Sequence, residues 1–404
     1  MLDTNYGDRV IVNSELCDAH KKVDVDSADI IANSVHMKEL RRLRLTTKFG
    51  DDLIRALCDS EYIKKLDSII LQSCNLSKNG IIMLSNCASM NNLTELEVLY
   101  TFGEEGLAAI ANSTVLRNLR VLNLSAKIFQ HWNANACRIG KTGAKLLSKS
   151  SYLTNITKLD LENNNIEDEG VLSICESEFS RNITHLNLAS NGITENGISF
   201  LTKLTSKMVH LITLHLDLNY ITLHGAKMIA SSRVMQHLKA ISFLKCYIGD
   251  EGIVDICNSE FLKNLTSLIV DSDTISEKGA RMLSMASILK LKSLSLPSCN
   301  IENNGLIVMA NSSALCQLTH LDVGFNDISS EGIQAICNSP YWKNLSFLSL
   351  RNISLSDDDV ELIGRTLHNL HELHTSISTS QLESLSKLLP YCEINNWVTL
   401  LDVD

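Results

Sequence analysis

One stretch of the chain, IFQHWNANACRIG at residues 128–140, holds a histidine and a cysteine close together, His131 and Cys137. A thiol beside an imidazole can act as a nucleophile, because the imidazole accepts the thiol proton. That chemistry also needs a third group that orients the imidazole, and the stretch offers no obvious one. We therefore expect this stretch to be a loop without catalytic function.

Histidines also fall on predicted strands, among them His185 and His215, with Asp217 close to the second. Adjacent strands lie about 4.8 Å apart, so these three side chains could meet around a metal ion. We favour the alternative that they are exposed polar residues of a binding surface. The motifs GxxxxGK[ST], HExxH, GxSxG and CxxC do not occur. The sequence therefore predicts a protein that is not an enzyme, with no catalytic residues, no cofactor and no metal.

Twelve cysteines are spread along the chain without the paired spacing of zinc sites. Most recur at equivalent positions of a repeat, where stacking would hold them apart. We interpret them as reduced thiols that fill small spaces in the core. Reduced thiols indicate a reducing compartment and a cytoplasmic location. The recurring cysteines are Cys74, Cys246 and Cys299 at one repeat position, and Cys58, Cys175, Cys257 and Cys337 at another.

The elements that must position these residues come from that repeat. ITKLDLENNNIEDEG begins at Ile156, ITHLNLASNGITENG at Ile183 and LTHLDVGFNDISSEG at Leu318. The shared phrase is LxxLxLxxNxIxxxG, and an apolar helical phrase follows it. Self-similarity at a fixed period of this length predicts a stack of like units. The repeats start at residues 40, 66, 93, 119, 156, 183, 211, 238, 265, 291, 318, 345 and 370.

Each part of the phrase has a physical interpretation. LxL alternates apolar with other residues, which is typical of a short strand with one buried face. The asparagine position, as in Asn164, Asn191, Asn219 and Asn326, can hydrogen-bond the backbone of a neighbouring coil. Serine or threonine then stands where a helix N-cap is needed. The glycine three residues later lets the helix start approach the adjacent coil. The predicted N-caps are Ser77, Thr194, Thr222, Ser276 and Ser329.

This phrase resembles the leucine-rich repeat family, specifically its ribonuclease-inhibitor-like horseshoe subtype. The resemblance covers about residues 40–386 and rests on thirteen occurrences of the phrase. It implies an α/β fold, a leucine-rich repeat solenoid of about 13 strand–helix repeats. The parallel sheet would lie on the concave face and the helices on the convex face.

Both ends of the chain are predicted to cover the repeats. Residues 1–39 form an N-terminal cap with a half-repeat, in which SADIIANSVHMK is the helical part and Val23 and Val25 are the strand. Residues 387–404 form a C-terminal cap that contains a closing strand. Terminal repeats are expected to be atypical, because they cover an otherwise exposed core.

The predicted concave face interleaves carboxylates with apolar and aromatic residues. Such a mixture suits protein recognition, although single exposed apolar residues are normal on any protein. We predict that this face binds a protein partner, and its acidic bias predicts a basic or mixed partner surface. The predicted contact residues are Glu97, Leu99, Tyr100, Asp160, Glu162, His215, Asp217, Leu244, Ile269, Asp271, Asp322, Phe325 and Phe347.

The repeat that starts at Leu119 is longer than the others, because its turn isoleucine, Ile139, comes about ten residues late. The insertion at about 128–138 leaves the coil just after a strand, on one rim. Phe129 and Trp132 are costly to expose unless they pack on the scaffold or meet a partner. Both are added to the predicted contact residues, and the choice between packing and contact stays open.

Charge and hydropathy restrict the partners further. A net charge of −10 argues against a nucleic-acid partner. No apolar run approaches the ~20 residues that a membrane-spanning helix needs, and the N-terminus lacks the apolar segment of a secretory signal. We expect a cytoplasmic monomer that binds another protein.

Several functions fit such a chain. The leading hypothesis is a non-enzymatic interaction scaffold. Its Asn-, Ser-, Lys- and Ile-rich composition resembles that of effectors that intracellular bacteria deliver into host cytoplasm. The repeats also resemble those of Ran GTPase activators, and Arg41, Arg42 and Arg44 could contact a GTPase, but the acidic tail of that family is not seen. A ubiquitin-ligase substrate adaptor is the third alternative, although residues 1–39 show no F-box-like pattern.

Overall fold

The structure is a computed structural model. It describes residues 9–12, 29, 32–45, 50–72, 74, 76–99, 103–126, 138–271 and 275–397. The chain divides into two units of strand–helix coils, and each is described by itself. Unit 1 comprises Met1–Leu201 and Thr205–Leu211, and unit 2 comprises Thr202–Leu204 and Ile212–Asp404. Among the described residues, no helix is long and apolar enough to cross a membrane.

Unit 1 alternates short strands with helices. Its strands are β1 (Arg9–Val12), β2 (Arg42–Leu45), β3 (Ser68–Leu71), β4 (Glu95–Val98), β5 (Val121–Asn123), β6 (Lys158–Asp160) and β7 (His185–Asn187). Its helices are α1 (Gly50–Asp59), α2 (Lys78–Asn86), α3 (Gly103–Ala111), α4 (Gly140–Ser148), α5 (Glu167–Glu176) and α6 (Glu195–Thr202). A 3-10 helix at Val35–Glu39 lies within the predicted N-terminal half-repeat.

Unit 2 repeats the same alternation. Its strands are β8 (Thr213–His215), β9 (Ala240–Leu244), β10 (Ser267–Asp271), β11 (Ser293–Ser295), β12 (His320–Asp322), β13 (Phe347–Ser349), β14 (Glu372–Thr375) and β15 (Glu393–Asn396). Its helices are α7 (Thr222–Ala230), α8 (Gly249–Cys257), α9 (Glu277–Met285), α10 (Asn303–Ala310), α11 (Ser330–Asn338), α12 (Asp357–Thr366) and α13 (Thr379–Leu388).

Within each unit, the strands pair in chain order and all of them are parallel. Equivalent leucines stand in register, so that Leu294 pairs with Leu321 and Leu321 with Leu348. All three are buried. The residues between the buried positions lie on the other side of the sheet, which we call the open face. The α/β leucine-repeat architecture predicted from the phrase is confirmed.

The first strand lies earlier in the chain than predicted. Arg9–Val12 pairs with β2, with Arg9 opposite Arg42 and Val12 opposite Leu45. The other edge of β2 pairs with β3. Val23 and Val25, which were predicted to supply the preceding strand, lie outside the described residues. At the other end, β15 pairs in parallel with β14, where a closing strand was predicted.

The asparagine position links successive coils, as predicted. The side-chain oxygen of Asn191 accepts hydrogen bonds from the amides of Asn164 (3.0 Å) and Ile166 (3.3 Å). Its amide nitrogen donates to the carbonyl of Leu161 at 2.8 Å. These backbone groups are buried, and unpaired they would destabilise the fold. Asn191 therefore satisfies the backbone of the preceding coil.

Cysteine replaces asparagine in three coils. Its thiol donates a hydrogen bond to a carbonyl of the preceding coil, as the asparagine nitrogen does, but does not replace the side-chain oxygen that accepts the backbone amides. The thiol of Cys246 donates to the carbonyl of Leu216 at 3.0 Å, and that of Cys299 to Val270 at 3.3 Å. Burial raises the pKa of the Cys246 thiol to about 12, which keeps it a donor at neutral pH. Most described cysteines are buried thiols, which fits their predicted role as packing residues.

The helix starts are joined by a second set of contacts between coils. Asp250, at the start of α8, accepts hydrogen bonds from the Ser276 amide (2.8 Å), the Ser276 hydroxyl (2.6 Å) and the Gly279 amide (3.0 Å). A Cβ on Gly279 would lie 2.6 Å from a carboxylate oxygen of Asp250. The glycine of the repeat is thus required by the helix start of the preceding coil. Ser77, Ser276 and Ser329 are confirmed as N-caps.

In α12, Asp359 stands at the repeat position that glycine holds in most other coils. Here the acceptor carboxylate belongs to the later coil and the donor to the preceding coil, the reverse of the contact made by Asp250. Its carboxylate accepts hydrogen bonds from the hydroxyl of Ser330 in the preceding coil (2.7 Å) and from the amide of Ser356 (2.9 Å). Burial raises the pKa of Asp359, but the hydrogen bonds from the two serines lower it by more, so the net shift is downward. The charged form of Asp359 is thus stabilised in the folded protein.

Replacing Ser330 with alanine is expected to lower the free energy of unfolding by about 1.5–3 kcal/mol at pH 7, because it removes a hydrogen bond to a buried carboxylate. The pKa of Asp359 is lower in the folded protein than its ordinary value of 3.8. The ionised carboxylate therefore contributes to the free energy of unfolding above that ordinary pKa, and this contribution is lost as pH falls through the folded pKa. The difference between wild type and variant should therefore shrink below about pH 4. Urea unfolding between pH 7 and pH 3 measures this, and a pH-independent difference would contradict it.

Candidate functional site

The open face of unit 2 carries aromatic, imidazole and charged side chains on its last four strands and the loops after them. The register places His320 opposite Phe347 and Phe347 opposite Glu372. A second row places Asp322 opposite Ser349. These rows bring together side chains that lie far apart in the sequence. We define the open-face cluster as His320, Asp322, Phe325, Phe347, Arg351, Glu372, His374 and Trp397.

A run of rings forms one side of the cluster. The His320 and Phe347 rings stack with centroids 5.9 Å apart, and Phe347 meets His374 edge-on at 5.0 Å. The Nε2 atom of His374 lies 2.7 Å from Glu372 Oε1, and Asn395 donates to the same oxygen at 3.3 Å. Contacts among side chains of β12, β13, β14 and β15 therefore hold the rings of His320, Phe347 and His374 in place.

Arg351 lies on the other side of the cluster. Its Nη2 donates to Asp322 Oδ2 at 3.2 Å, and its Nε donates to the Ser349 hydroxyl at 3.3 Å. The guanidinium carbon is 6.0 Å from the ring centroids of both Phe325 and Trp397. A cation near aromatic faces is attracted by the ring quadrupole. The guanidinium is therefore restrained by two hydrogen bonds and two rings.

The backbone under Phe325 is unusual for an aromatic residue. Phe325 has φ +57° and is 50% exposed, and Leu218 holds the equivalent position with φ +56° and 50% exposure. Four other coils place asparagine or serine there, namely Asn163, Ser190, Ser298 and Asn352, and one places Lys245. A left-handed backbone costs a bulky residue about 1–2 kcal/mol. Packing within the fold therefore does not explain the choice of phenylalanine and leucine.

Replacing Phe325 with asparagine is expected to change the free energy of unfolding by less than about 1 kcal/mol. Asparagine tolerates the left-handed backbone, and this gain offsets the lost contact with Arg351, worth about 0.5–1 kcal/mol. Thermal unfolding of the variant beside wild type measures the change. A loss above about 2 kcal/mol would show that Phe325 has a structural role.

The structure brings three of the predicted contact residues together, Asp322, Phe325 and Phe347. The other predicted contact residues that the structure describes lie on other coils. Five lie half-buried on the open face or at its edge in the two units: Glu97, Glu162, His215, Leu244 and Ile269. The cluster itself was only partly anticipated.

Three predicted contact residues are less accessible than expected. Leu99 is 6% exposed, so it is buried and does not lie on the open face as predicted. Asp271 and Asp322 are each 9% exposed. Asp322 is covered by Arg351, and its charge is therefore already paired. Neither aspartate offers the free carboxylate that the acidic pattern suggested.

Two other aspartates are engaged by their own backbone or a neighbouring coil. Asp160 accepts the amide of Glu162 at 3.0 Å, as Asn123 accepts that of Ser125 at 2.9 Å. Asp217 accepts the Leu244 amide at 2.9 Å and the Ser242 hydroxyl. An Asx turn needs an acceptor two residues before the amide. The acidic pattern of the open face thus has a structural explanation at these positions.

Several candidates cannot be placed. Tyr100, Phe129 and Trp132 lie outside the described residues, as do His131 and Cys137. Among the residues that are described, no group of three or more His, Cys, Asp or Glu side chains could hold a metal ion.

Sequence reasoning did not select Arg351, Glu372 or Trp397. Arg351 occupies the repeat position of Glu162 and Asp217, two residues beyond the strand. A comparison of that position between coils would have shown a basic residue where the other coils have acidic or uncharged residues. Trp397 follows β15 in the segment assigned to a cap. Its contact with Arg351 depends on the pairing of β15 with β14, which the repeat phrase does not encode.

Comparison with known proteins points to the repeat itself. A family model described as "Leucine Rich repeat" matches residues 152–175, 179–201 and 314–337. Among curated proteins, the chain is similar to mouse "NACHT, LRR and PYD domains-containing protein 14", with 24% identity over 75% of this chain and 31% of that protein. Mouse protein 9B of the same description is 23% identical over 87% of this chain and 42% of its own length. The chain thus spans less than half of these relatives.

Two solved structures are also similar. An internalin from Listeria monocytogenes shares 18% identity and a TM-score of 0.47, over 93% of this chain and 94% of that one. The Rad7 and Elc1 complex in yeast shares 15% identity and a TM-score of 0.46, over 94% of this chain and 76% of that one. The recurrent phrase, the matched repeats and the alternation of parallel strands and helices together show that this chain contains leucine-rich repeats.

Proposed function

We propose that the chain is a non-enzymatic scaffold that binds a protein partner on its open face, with the open-face cluster of unit 2 as the main contact. The carrying observation is the arrangement around Arg351, where a restrained cation lies beside two half-exposed rings. Aromatic residues and arginine supply most of the binding energy at protein interfaces. Restrained side chains also lose little entropy on binding.

The exposure of the aromatic residues supports this role. Phe325 is 50% exposed and Trp397 is 57% exposed. Phe325 also occupies a left-handed backbone position that four other coils fill with asparagine or serine. Large apolar residues in such a place cost the fold stability, and a partner that covers them would recover the hydrophobic contribution.

The open face of unit 1 supports a partner with a basic or mixed surface. Glu97 and Glu162 lie half-buried there, and Glu95 accepts a hydrogen bond from the Ser68 hydroxyl at 2.7 Å. Carboxylates on a sheet face attract lysine and arginine and increase the association rate. The insertion with Phe129 and Trp132 is proposed as a further contact, and deletion of residues 129–138 tests that part separately.

The proposal extends to a bacterial effector that acts in the cytoplasm of a host cell. Its support is the composition of the chain, rich in asparagine, serine, lysine and isoleucine and with only three prolines. A reporter that signals entry into host cytoplasm, fused to the chain in a secretion-competent bacterium, tests this extension. Lack of delivery would remove the effector role and leave the binding proposal in place.

A quantitative affinity capture from cytosol tests the binding proposal. Wild type should retain at least one protein that the Phe325→Asn/Trp397→Ala variant loses by about tenfold or more, because truncated interface anchors typically cost about 2 kcal/mol or more. Tyr391→Ala is the matched control, since Tyr391 is 94% exposed but lies before β15 and outside the cluster. Equal capture by wild type and the cluster variant would refute the proposal.

A further inference from the structure

The guanidinium of Arg351 is fixed along one edge only. Nε donates to Ser349 and Nη2 donates to Asp322. Asp322 is itself anchored, because its Oδ1 accepts the amide of Gly324 at 3.0 Å. A Cβ on Gly324 would lie 3.1 Å from the Arg351 carbonyl oxygen. The close approach of these two coils therefore sets the position of the arginine.

The opposite edge of the guanidinium remains available. Nη1 has no hydrogen-bond partner among the residues that the structure describes, and the Arg351 side chain is 31% exposed. Phe325 and Trp397 flank the group at 6.0 Å each and restrict its rotation. An arginine presents five N–H donors in a planar fork, and here Nε and Nη2 are engaged, whereas the two N–H groups of Nη1 are not hydrogen-bonded to any described residue. This is the geometry of a positioned donor.

The charged groups around Arg351 determine which hydrogen-bond acceptors of a partner fit beside the N–H groups of its Nη1. Asp322 already balances its charge, and Glu372 and Glu393 lie on the next two strands. A dianionic phosphate would bring two negative charges toward these carboxylates. A monoanionic carboxylate brings one, and its two oxygens match the edge of a guanidinium.

We propose that Arg351 binds a carboxylate of the protein partner, beside apolar residues of the partner that cover Phe325 and Trp397. The carboxylate is either an aspartate or glutamate side chain of the partner or the partner's own C-terminal carboxylate. This rests on the proposed function, since it names the group that the open-face cluster recognises. It also sets unit 2 apart from the carboxylates Glu97 and Glu162 on the open face of unit 1, near which basic residues of the partner are expected. A partner with both acidic and basic residues could bind Arg351 in unit 2 with an acidic group and the carboxylates of unit 1 with basic residues.

The test uses random peptides displayed with free C-termini and selected on the full chain, followed by counter-selection on the Phe325→Asn/Trp397→Ala variant. The cluster-dependent peptides are then synthesised with each acidic side chain changed to its amide, and separately with an amidated C-terminus. Affinities are measured on wild type, Arg351→Gln and Arg365→Gln. Arg365 is the matched control, because it pairs with Glu361 on α12 and its replacement removes the same charge.

One carboxylate-to-amide change is expected to weaken binding to wild type by about tenfold or more and to Arg351→Gln by less than about twofold. The side-chain and C-terminal changes tell the two sources of the carboxylate apart. Arg365→Gln should behave as wild type. Because the peptide is changed rather than the protein, this comparison holds even if Arg351→Gln is less stable.

Two outcomes would overturn the proposal in different ways. If cluster-dependent peptides bind equally well as carboxylates and as amides, Arg351 does not recognise a carboxylate, while the open-face cluster remains a binding site. If no peptide depends on the cluster and affinity capture also shows no loss, the proposed function fails and the carboxylate site fails with it.

Discussion

Replacing Asn326 with alanine is expected to lower the free energy of unfolding by about 3–5 kcal/mol. Its side-chain oxygen accepts the amides of Cys299 (2.9 Å) and Ile301 (3.0 Å), and its nitrogen donates to the carbonyls of Leu296 (2.8 Å) and Val323 (2.9 Å). Asn326 is 7% exposed, so water cannot easily replace it. Each buried amide left unpaired costs about 1–3 kcal/mol.

Amide hydrogen exchange gives the most direct measurement. Protection should fall at Cys299 and Ile301, whereas unfolding curves of a repeat protein can mix local and global opening. Asn326→Cys should be intermediate, because a thiol can donate to Leu296 as Cys246 donates to Leu216, but does not replace both accepted bonds. Asn304→Ala, an exposed residue on α10, is the control. A loss below about 1 kcal/mol in Asn326→Ala would contradict the coil-linking role.

The repeat positions of the fold were predictable because each one has a local physical cause. The asparagine bonds, the serine N-caps and the inward leucines follow from residue type and period. The first strand was not predictable in this way, because Arg9–Val12 lies outside the phrase and its pairing with β2 is a tertiary contact. Leu99 was wrongly predicted to lie on the open face, because the alternation of buried and exposed residues ends with the last residue of β4, Val98.

The candidate site shows where residue type alone misleads. Asp160 and Asp322 looked like recognition carboxylates, but both close turns at strand ends, as Asn123 does. Phe325 looked like one stray apolar residue, yet its backbone conformation is one that four other coils give to asparagine or serine. A comparison between equivalent coils therefore separates residues that the fold needs from residues that it tolerates. The second kind is where binding residues are expected.

Arg351 illustrates how contacts within the fold position the side chains of the proposed binding surface. The bond from the Gly324 amide to Asp322 ends one strand, and the same carboxylate fixes an arginine from the next coil. The parallel register then places His374 and Trp397 within reach of that coil. A rigid stack positions side chains from four repeats without a long loop, which is the preorganisation that tight binding requires.

Replacing Gly279 with leucine is expected to cost about 4 kcal/mol or more, because overpacking and the loss of bonds to a carboxylate add together. A Cβ there would lie 2.6 Å from Asp250 Oδ1 and 2.8 Å from Ile275 Cγ2. The coil cannot move away without breaking the bonds of Asp250 to Ser276 and Gly279. Denaturant unfolding of the variant, followed by circular dichroism, measures the loss.

Gly103→Leu is the matched comparison, because Gly103 has φ +64° and a Cβ at that position would meet no atom of the described residues within 4 Å. Its cost should be only about 1–2 kcal/mol, from the left-handed backbone alone. The pair Asp250→Ala and Gly279→Ala should also be less destabilising together than the sum of the single changes, since each removes the same contact. Additive effects, or equal costs at Gly279 and Gly103, would mean that contact with the preceding coil does not explain the repeated glycine.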